Sequence, residues 1–419
     1  MATDLRLRGF HDIDPETVPL PHGTEVVTRV DRMLGARRIP QGAMGRVVRV
    51  DGEKVRVLVV GVGEASYARA ELVPRKAGQL RFARHREAAW TALQPCVVLE
   101  TMVGSRAWGL ADDASDTDRR GVFALPFPWT AALVPVPDDL ISTDGSYTCW
   151  ELGKTVRQAL RADPNTLEVL FATDVEIRDP IGQWLRDARD AFVSAEIYAS
   201  FGRYALSQAK KLRQSLRLAE HRALLLDWAR AAPALSLDEA AARLADATGI
   251  EAPTEADRLL RAKEYVKQLY HSLHDRGLIP AATFEAFIEL ASAGGHQFEL
   301  PRELRPKNAY NLLRLIATAI SWLRTGVADF RVAEPLRSRL LAIKRGDVAL
   351  ADVLDQAEQM AAELEAARRE TCLPARGDVA RADALLRRAR EELARRWVQR
   401  EPGPFGVDAP VLSEARWQD

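Results

Sequence analysis

The chain has 419 residues with 59 basic and 59 acidic side chains, so its formal net charge is zero. This balance excludes a broad attraction of the whole molecule to nucleic acid or to an anionic membrane, and any nucleic-acid surface must be a local patch. The length is sufficient for several domains, each with its own buried core.

The cysteines and the first residues favour the cytoplasm. Cys96, Cys149 and Cys372 lie far apart, which is typical of reduced thiols and not of disulfides or a zinc site. The start, MATDLRLRGFHDID, lacks the apolar run of a signal peptide, and no later segment is apolar over the ~18 residues of a membrane span. We therefore expect a cytoplasmic protein without a membrane partner.

Residues 24–75 have the composition of a small β-domain. The runs EVVTRV, GRVVRV, KVRVLVV and ARAELV are β-branched and partly alternating, and Asp51-Gly52 joins the middle two as a hairpin signal. The pattern predicts an SH3-like or KOW-type barrel over residues 1–78. The resemblance to barrels that accompany RNA-handling enzymes is loose, and a barrel used only for packing or protein contacts fits equally well.

Residues 79–194 alternate between helix-like and strand-like runs. LRFARHREAAWTAL has helical spacing, CVVLETMV is typical of a buried strand that ends at Gly104, and DRRGVFAL and SYTCW predict two more strands before the helical run ELGKTVRQALRA. We expect an α/β core with a mixed sheet.

Nearly every run beyond Ala195 has helical period, interrupted by Pro and Gly breakers. A helical domain is predicted over residues 195–400, and a flexible tail over 401–419. The predicted fold class is thus α+β, with an N-terminal SH3-like barrel, an α/β core and a C-terminal helical domain.

The stretch GSRAWGLADDASDTDRRGVF combines two features that bind phosphate and metal. Gly104 and Ser105 follow the first core strand at the start of a short helical segment, where free amides and a close backbone approach favour phosphate. Asp116 and Asp118 are one residue apart at the start of the next strand, whose alternation would point both carboxylates the same way. Paired carboxylates are typical ligands of Mg²⁺, which also binds substrate phosphates.

This stretch resembles the signature of the DNA polymerase beta-type nucleotidyltransferase superfamily, a Gly-Ser turn followed by an Asp-x-Asp pair. More narrowly, the order of GSRAWGL, SDTDRRGVF, ELGKTVRQALRADPNTLEVLF, YALSQAKK and KNAYNLLRLI is similar to the predicted nucleotidyltransferases known as RNA-ligase-associated polymerases. The resemblance extends from about Val97 to Leu350.

The resemblance implies a role for each matching residue. Gly104, Ser105 and Arg106 would bind the NTP phosphates. Asp116 and Asp118 would hold two Mg²⁺ ions, or Mn²⁺ in their place, with Glu151 as the third catalytic and metal-binding acid and Asp144 as its rival. An acid is missing at the start of the third strand, near Ser146.

Further positive charge would come from basic residues beside these motifs. Lys154 would reach the nucleotide, and Lys210 and Lys211 would do so from the helical region, where a solvated helix face is an equal alternative. Strand alternation directs Arg119 away from the aspartates. Relatives commonly carry a histidine near Asn311, and Glu168 is interpreted as a structural residue.

The resulting hypothesis is a metal-dependent, template-independent nucleotidyltransferase that transfers an NMP from an NTP to an acceptor hydroxyl and releases pyrophosphate. An RNA 3′ end, such as that of tRNA, is the acceptor that the resemblance implies. A protein side chain, as in AMPylases and toxin-type enzymes, and a small molecule are alternatives. A non-catalytic RNA- or protein-binding module is a further one.

Overall fold

The computed structural model describes residues 20–35, 37–59, 62–75, 87–112, 115–132, 136–274, 279, 281–293 and 306–410. The first part of the predicted helix LRFARHREAAWTAL and the end of the predicted tail lie outside these residues, whereas residues 87–93 are helical. The strands are β1 Glu25–Thr28, β2 Arg32–Leu34, β3 Arg37–Ile39, β4 Met44–Asp51, β5 Lys54–Val59, β6 Gly63–Ala68, β7 Leu72–Pro74, β8 Val97–Val103, β9 Asp118–Phe123, β10 Asp139–Ile141, β11 Tyr147–Glu151 and β12 Val175–Ile177.

Helices dominate the second half of the chain, as its apolar spacing predicts. They span Phe127–Thr130, Leu152–Leu160, Pro164–Phe171, Pro180–Asp187, Tyr204–Ala231, Leu237–Thr248, Glu255–His274, Phe284–Ser292, Pro306–Thr325, Leu336–Arg345, Leu350–Glu370 and Val379–Val398. Shorter 3-10 turns lie at Arg69–Glu71, Gln94–Cys96 and Arg189–Phe192, and a π-helical turn at Tyr198–Arg203. None of the helices in the described part of the chain combines the length and apolarity of a membrane crossing.

The chain divides into two compact units that are not continuous in sequence. The first takes its described residues from Met1–Arg203, Ile316–Arg339 and Ala362–Asp419, and the second from Tyr204–Leu315 and Leu340–Ala361. The predicted domains 1–78 and 79–194 therefore belong to one unit, and the predicted helical domain contributes to both.

The N-terminal sheet of the first unit is open, so the predicted SH3-like barrel is wrong. Its strand order is β6-β5-β4-β1-β7. The hairpin at Asp51-Gly52 forms as predicted, with Asp51 opposite Lys54. The run ARAELV contains the 3-10 turn Arg69–Glu71, and the three-residue strand β7 that follows pairs with β1. Among the described residues, no ladder joins the edge strands β6 and β7.

The second sheet of the first unit has the order β10-β11-β9-β8-β12. β9 and β11 run parallel and the other neighbours antiparallel, so the sheet is mixed, as predicted. Val98, Leu99, Val122 and Phe123 are buried in its centre, which explains the nearly continuous apolar runs of these strands. This sheet carries the Gly-Ser and Asp-x-Asp residues.

Helices cover this sheet and fix its strands. Pro164–Phe171 and Pro180–Asp187 contact β8, and Val379–Val398 contacts Leu152–Leu160. Residues 401–410, in the predicted flexible tail, lie against the same unit: Phe405 is buried and the Trp129 Nε1–H donates to the Pro410 oxygen at 2.7 Å.

The second unit is a helical bundle with its own core. Leu225, Leu244, Val266 and Phe287 are buried in it, one from each of its first four helices. The capping box of Ser236 and Glu239 begins the helix Leu237–Thr248, and Gly249 ends it with a φ of +64°.

Candidate active site

The Gly-Ser corner, Gly104 and Ser105, lies directly after strand β8. Gly104 has a φ of +75°, a conformation that glycine adopts without steric cost. The Trp108 N–H donates to the Gly104 oxygen at 3.1 Å, and the Leu110 N–H to the Ser105 oxygen at 2.8 Å. Residues 104–109 thus form hydrogen-bonded turns and not the expected short helix. Any phosphate at the corner would meet turn amides without the dipole of a helix.

Glu168 holds the corner from behind. Its Oε1 accepts a hydrogen bond from the Gly104 N–H at 2.6 Å. Its Oε2 lies 3.4 Å from Nη1 of Arg120, which also donates to Asn165 Oδ1 at 2.9 Å. The Glu168 side chain is buried on the helix Pro164–Phe171. Sequence reasoning interpreted Glu168 only as structural, because nothing in its local pattern shows that its partner is the Gly-Ser backbone.

The far side of the turn is anchored as well. Trp108 and Leu110 are buried. The Trp108 oxygen accepts the Val332 N–H at 3.1 Å, and the Gly109 oxygen accepts Nε–H of Arg337 at 2.9 Å. The corner is therefore fixed at both ends.

Asp118 faces the Gly-Ser corner. It is the first residue of β9 and lies opposite Val103, the last residue of β8. Its Oδ2 is 3.5 Å from the point where a Cβ would stand on Gly104. The carboxylate and the corner predicted to bind phosphate are thus in direct proximity.

Asp116 lies in the loop before the strand, because β9 begins only at Asp118. Strand alternation therefore does not orient Asp116, contrary to the expectation. Its side chain is 63% exposed, and its Oδ1 lies 3.7 Å from Nη1 of Arg49, a residue of the N-terminal sheet. Sequence reasoning did not find Arg49, since it is about 70 positions from Asp116 and belongs to another sheet.

Glu151 does not lie with the two aspartates. The parallel register pairs Glu151 with Phe123, at the opposite end of β9 from Asp118. Five strand positions correspond to about 16 Å. Its Oε2 accepts the Lys154 N–H at 2.8 Å and so caps the helix Leu152–Leu160. The register thus places Glu151 away from Asp118, and its role as a ligand of the same metal stays a prediction.

Asp144 lies closer to the aspartates. Ser146 borders Asp118 across the strand pair, since the Arg119 N–H donates to the Ser146 oxygen at 2.9 Å. Asp144 accepts hydrogen bonds from the Ser142 and Ser146 hydroxyls at 2.6 and 2.7 Å. Burial raises the pKa of Asp144, but these hydrogen bonds and the charge of Arg49 outweigh it and hold the pKa below its usual value.

The predicted basic residues are dispersed. Arg106 is exposed and donates to the Ser115 oxygen at 3.0 Å, so it stays beside the corner. Lys154 pairs with Asp139 at 2.6 Å, at the Glu151 end of the sheet. Lys210 and Lys211 are exposed on the helix Tyr204–Ala231, which belongs to the second unit, and their role stays a prediction.

Asn311, which the resemblance singles out, also lies in the second unit. There, Asn311 accepts a hydrogen bond from Arg314 Nε at 3.1 Å, so its amide oxygen supports a neighbouring side chain.

The opposite face of the sheet has a buried acid of its own. Arg119 points there, as strand alternation predicts, and its Nη2 lies 2.8 Å from Oε1 of the fully buried Glu100. Arg178 Nη2 lies 2.7 Å from the other oxygen, and the Tyr147 hydroxyl donates to it. Burial is the main cause of the raised pKa of Tyr147. These side chains stabilise the sheet on the face away from Asp118.

The donor set near the corner suits a hard divalent ion that also binds phosphate. In the part of the chain that the structure describes, no three Asp, Glu, His or Cys side chains are grouped as a metal site. Mg²⁺ is commonly held by one or two carboxylates together with substrate phosphates. Asp118 beside the corner, with Asp116 two residues earlier, meets this simpler requirement.

One segment of the chain is similar to a known class, the polymerase beta-like nucleotidyltransferases. Residues 75–224 match the family described as RlaP, RNA repair pathway DNA polymerase beta family. This segment contains the Gly-Ser corner, both aspartates and Glu168, and the match confirms the resemblance inferred from the sequence motifs. Comparison with curated proteins found no match. Comparison with solved structures also found none.

Proposed function

We propose that the protein is a metal-dependent, template-independent nucleotidyltransferase that transfers an NMP from an NTP to the hydroxyl of an RNA 3′ end and releases pyrophosphate. The observation that carries the proposal is the proximity of the Asp118 carboxylate to Gly104, 3.5 Å from its would-be Cβ. A phosphate at the corner would lie beside an acid that can bind its counter-ion.

The side chains at the corner have distinct tasks in this scheme. Because the Gly104 N–H donates to Glu168, the phosphates would be bound by donors of Ser105 and Arg106. Asp116 and Asp118 would hold Mg²⁺, which supplies charge neutralisation at the phosphates and activation of the attacking hydroxyl when bound. Glu168 acts by fixing the corner, so that reacting groups meet in one geometry.

The family description supports RNA as the acceptor, since it names an RNA repair pathway. A 3′ end of tRNA is the narrower form of this proposal. Protein side chains and small molecules are the other acceptor classes. The molecule into which a labelled nucleotide is incorporated distinguishes among the three.

The test uses NTPs labelled on the α-phosphate, Mg²⁺ and total RNA, with the protein, Asp118→Asn and Asp116→Asn compared side by side. We expect label in RNA with the unmodified chain, and a loss of at least about 10²-fold in each variant. Both aspartates are exposed, so their unfolding free energies should change by less than about 0.5 kcal/mol.

Other outcomes are equally informative. Label in protein would indicate that the acceptor is a protein side chain and not RNA. Metal-dependent NTP binding without pyrophosphate release would favour a non-catalytic binding module. Full transfer by Asp118→Asn would refute the proposed site.

A further inference from the structure

Arg49 brings a positive charge from the N-terminal sheet to the candidate active site. It lies on β4, with its Nη1 3.7 Å from Asp116 Oδ1 and its side chain 47% exposed. Its Nε donates to Asp51 Oδ1 at 2.6 Å. One edge of the guanidinium is thus held within its own sheet, and the other is directed at an acid of the proposed site.

The N-terminal sheet is fixed against this part of the second sheet. The His22 N–H donates to the Thr143 oxygen at 3.3 Å. The His22 side chain fills the space over Gly145, where a Cβ would lie 2.7 Å from His22 Cβ. Thr143 in turn donates to Glu87 Oε2 at 2.9 Å. Arg49 therefore reaches Asp116 from a sheet that is docked on the turn between β10 and β11.

Stability does not explain the position of Arg49. An exposed ion pair contributes only about 0–1 kcal/mol, and the 3.7 Å separation from Asp116 is longer than a hydrogen bond. Asp51, its tighter partner, also accepts a hydrogen bond from Arg56 Nε at 3.0 Å. The contact with Asp116 is thus weak and exchangeable.

The neighbouring arginines pair with other side chains. Arg120 is engaged by Glu168 and Asn165, and Arg119 by Glu100 on the other face. Both therefore stabilise the sheet and its corner, whereas Arg49 has its outer edge at the proposed site.

We propose that Arg49 binds the phosphates of the NTP, so that the N-terminal sheet supplies part of the nucleotide site. The inference rests on the proposed function. A cation bound by Asp116 would repel the guanidinium, because both are positively charged. The two would also compete for the same carboxylate oxygen. The bond from Nε to Asp51 would keep Arg49 in place, and its Nη groups would pair with phosphate oxygens, for which the planar fork of arginine is suited.

The test is direct binding, measured by calorimetry with α,β-methylene analogues of the four NTPs in Mg²⁺, so that no transfer occurs. Arg49→Gln should weaken binding of the preferred analogue about tenfold, which corresponds to about 1.4 kcal/mol. Arg49→Lys should lose less, since it keeps the charge. The matched control is Arg46→Gln on the same strand, because Arg46 is 64% exposed and its closest acid, Glu25, is 3.9 Å away. It should bind within about twofold of the unmodified chain.

Unchanged affinity in Arg49→Gln would refute the inference, and so would an equal loss in Arg46→Gln, which would indicate only general charge. Thermal unfolding of each variant checks that the fold is kept. The proposed function fails separately, through full transfer activity in Asp118→Asn. If transfer requires Asp118 but Arg49→Gln binds the analogue as tightly as the unmodified chain, the proposed function would stand. Only the role of Arg49 would then be wrong.

Discussion

The buried carboxylate of Glu168 accepts a hydrogen bond from the Gly104 N–H at 2.6 Å. Hydrogen bonds to an ionised acceptor are shorter and stronger than neutral ones. Glu168 is 3% exposed, so water does not replace it as the partner of that N–H. The same glycine faces Asp118. A helix behind the sheet thereby fixes the distance between the Gly-Ser corner and the acid.

Two substitutions of Glu168 should distinguish the effect of its contact with Gly104 from that of its contact with Arg120. Glu168→Ala leaves the Gly104 N–H without its acceptor and should lower the unfolding free energy by about 1–3 kcal/mol. It should also lower kcat/KM for NMP transfer by up to about 10²-fold, because the corner loses its position. Glu168→Gln retains an acceptor for Gly104 but not the charge for Arg120, so it should restore most of the transfer. Denaturation measures the change in unfolding free energy, and steady-state kinetics measure the change in kcat/KM. Equal kinetics in all three proteins would contradict a positioning role.

The sequence predicts the strands and turns of this site better than it predicts which of their residues lie next to one another. β8, β9 and β11 and the Gly-Ser corner follow from apolar runs and turn residues, since these signals are local. The separation of Glu151 from Asp118 does not, because the parallel register of β9 and β11 is set by packing across the sheet. Periodicity identifies a strand but does not state which residue of its neighbour it faces.

The contribution of the N-terminal sheet could not be predicted for a related reason. Its strands are evident from β-branched residues, but the pairing of β7 with β1 and not with β6 is a long-range feature that no local pattern indicates. Likewise, nothing around Arg49 in the sequence indicates Asp116 as its neighbour, because docking of one sheet on another is a long-range contact. Exposed arginines on a strand are common and carry no such signal alone.

Gly104 and Gly109 offer a matched pair of substitutions. Both have a φ of +75°, so alanine at either should cost about 1–2 kcal/mol of unfolding free energy. A Cβ on Gly109 would meet nothing within 4 Å, whereas one on Gly104 would lie 3.5 Å from Asp118 Oδ2. We therefore expect similar loss of stability in both, and a further loss of metal and NTP binding only in Gly104→Ala. Binding of Mn²⁺, measured by electron paramagnetic resonance, tests this. Equal binding in the two variants would contradict it.

Two buried thiols should make stability fall at alkaline pH. Burial raises the pKa of Cys96 and of Cys149 from 9.0 to about 12. Since the folded pKa is the higher one, their stabilising effect is complete below pH 9 and is lost as the pH rises towards 12, where the unfolded chain releases the protons first. Each thiol should contribute a decrease of about 1.4 kcal/mol per pH unit in that window.

Urea denaturation between pH 8.5 and 10.5 measures the slope of this decrease. Cys149→Ala should reduce it relative to the unmodified chain, whereas Cys372→Ser, a change at an exposed thiol, should leave it unchanged. Identical slopes in the two variants would show that the Cys149 thiol does not control the alkaline transition.

Asp144 and Glu151 compete for the role of the third acid, and the register favours Asp144. Asp144→Ala removes the acceptor of the Ser142 and Ser146 hydroxyls in the turn beside Asp118 and leaves the charge of Arg49 less balanced. We expect kcat/KM for transfer to fall at least about tenfold. Glu151→Ala removes a helix cap at the far end of β11, so it should cost about 1 kcal/mol of stability but change kcat/KM less than about threefold. The opposite ranking in NMP-transfer assays would favour Glu151 as the third acid, against the position that its pairing with Phe123 gives it.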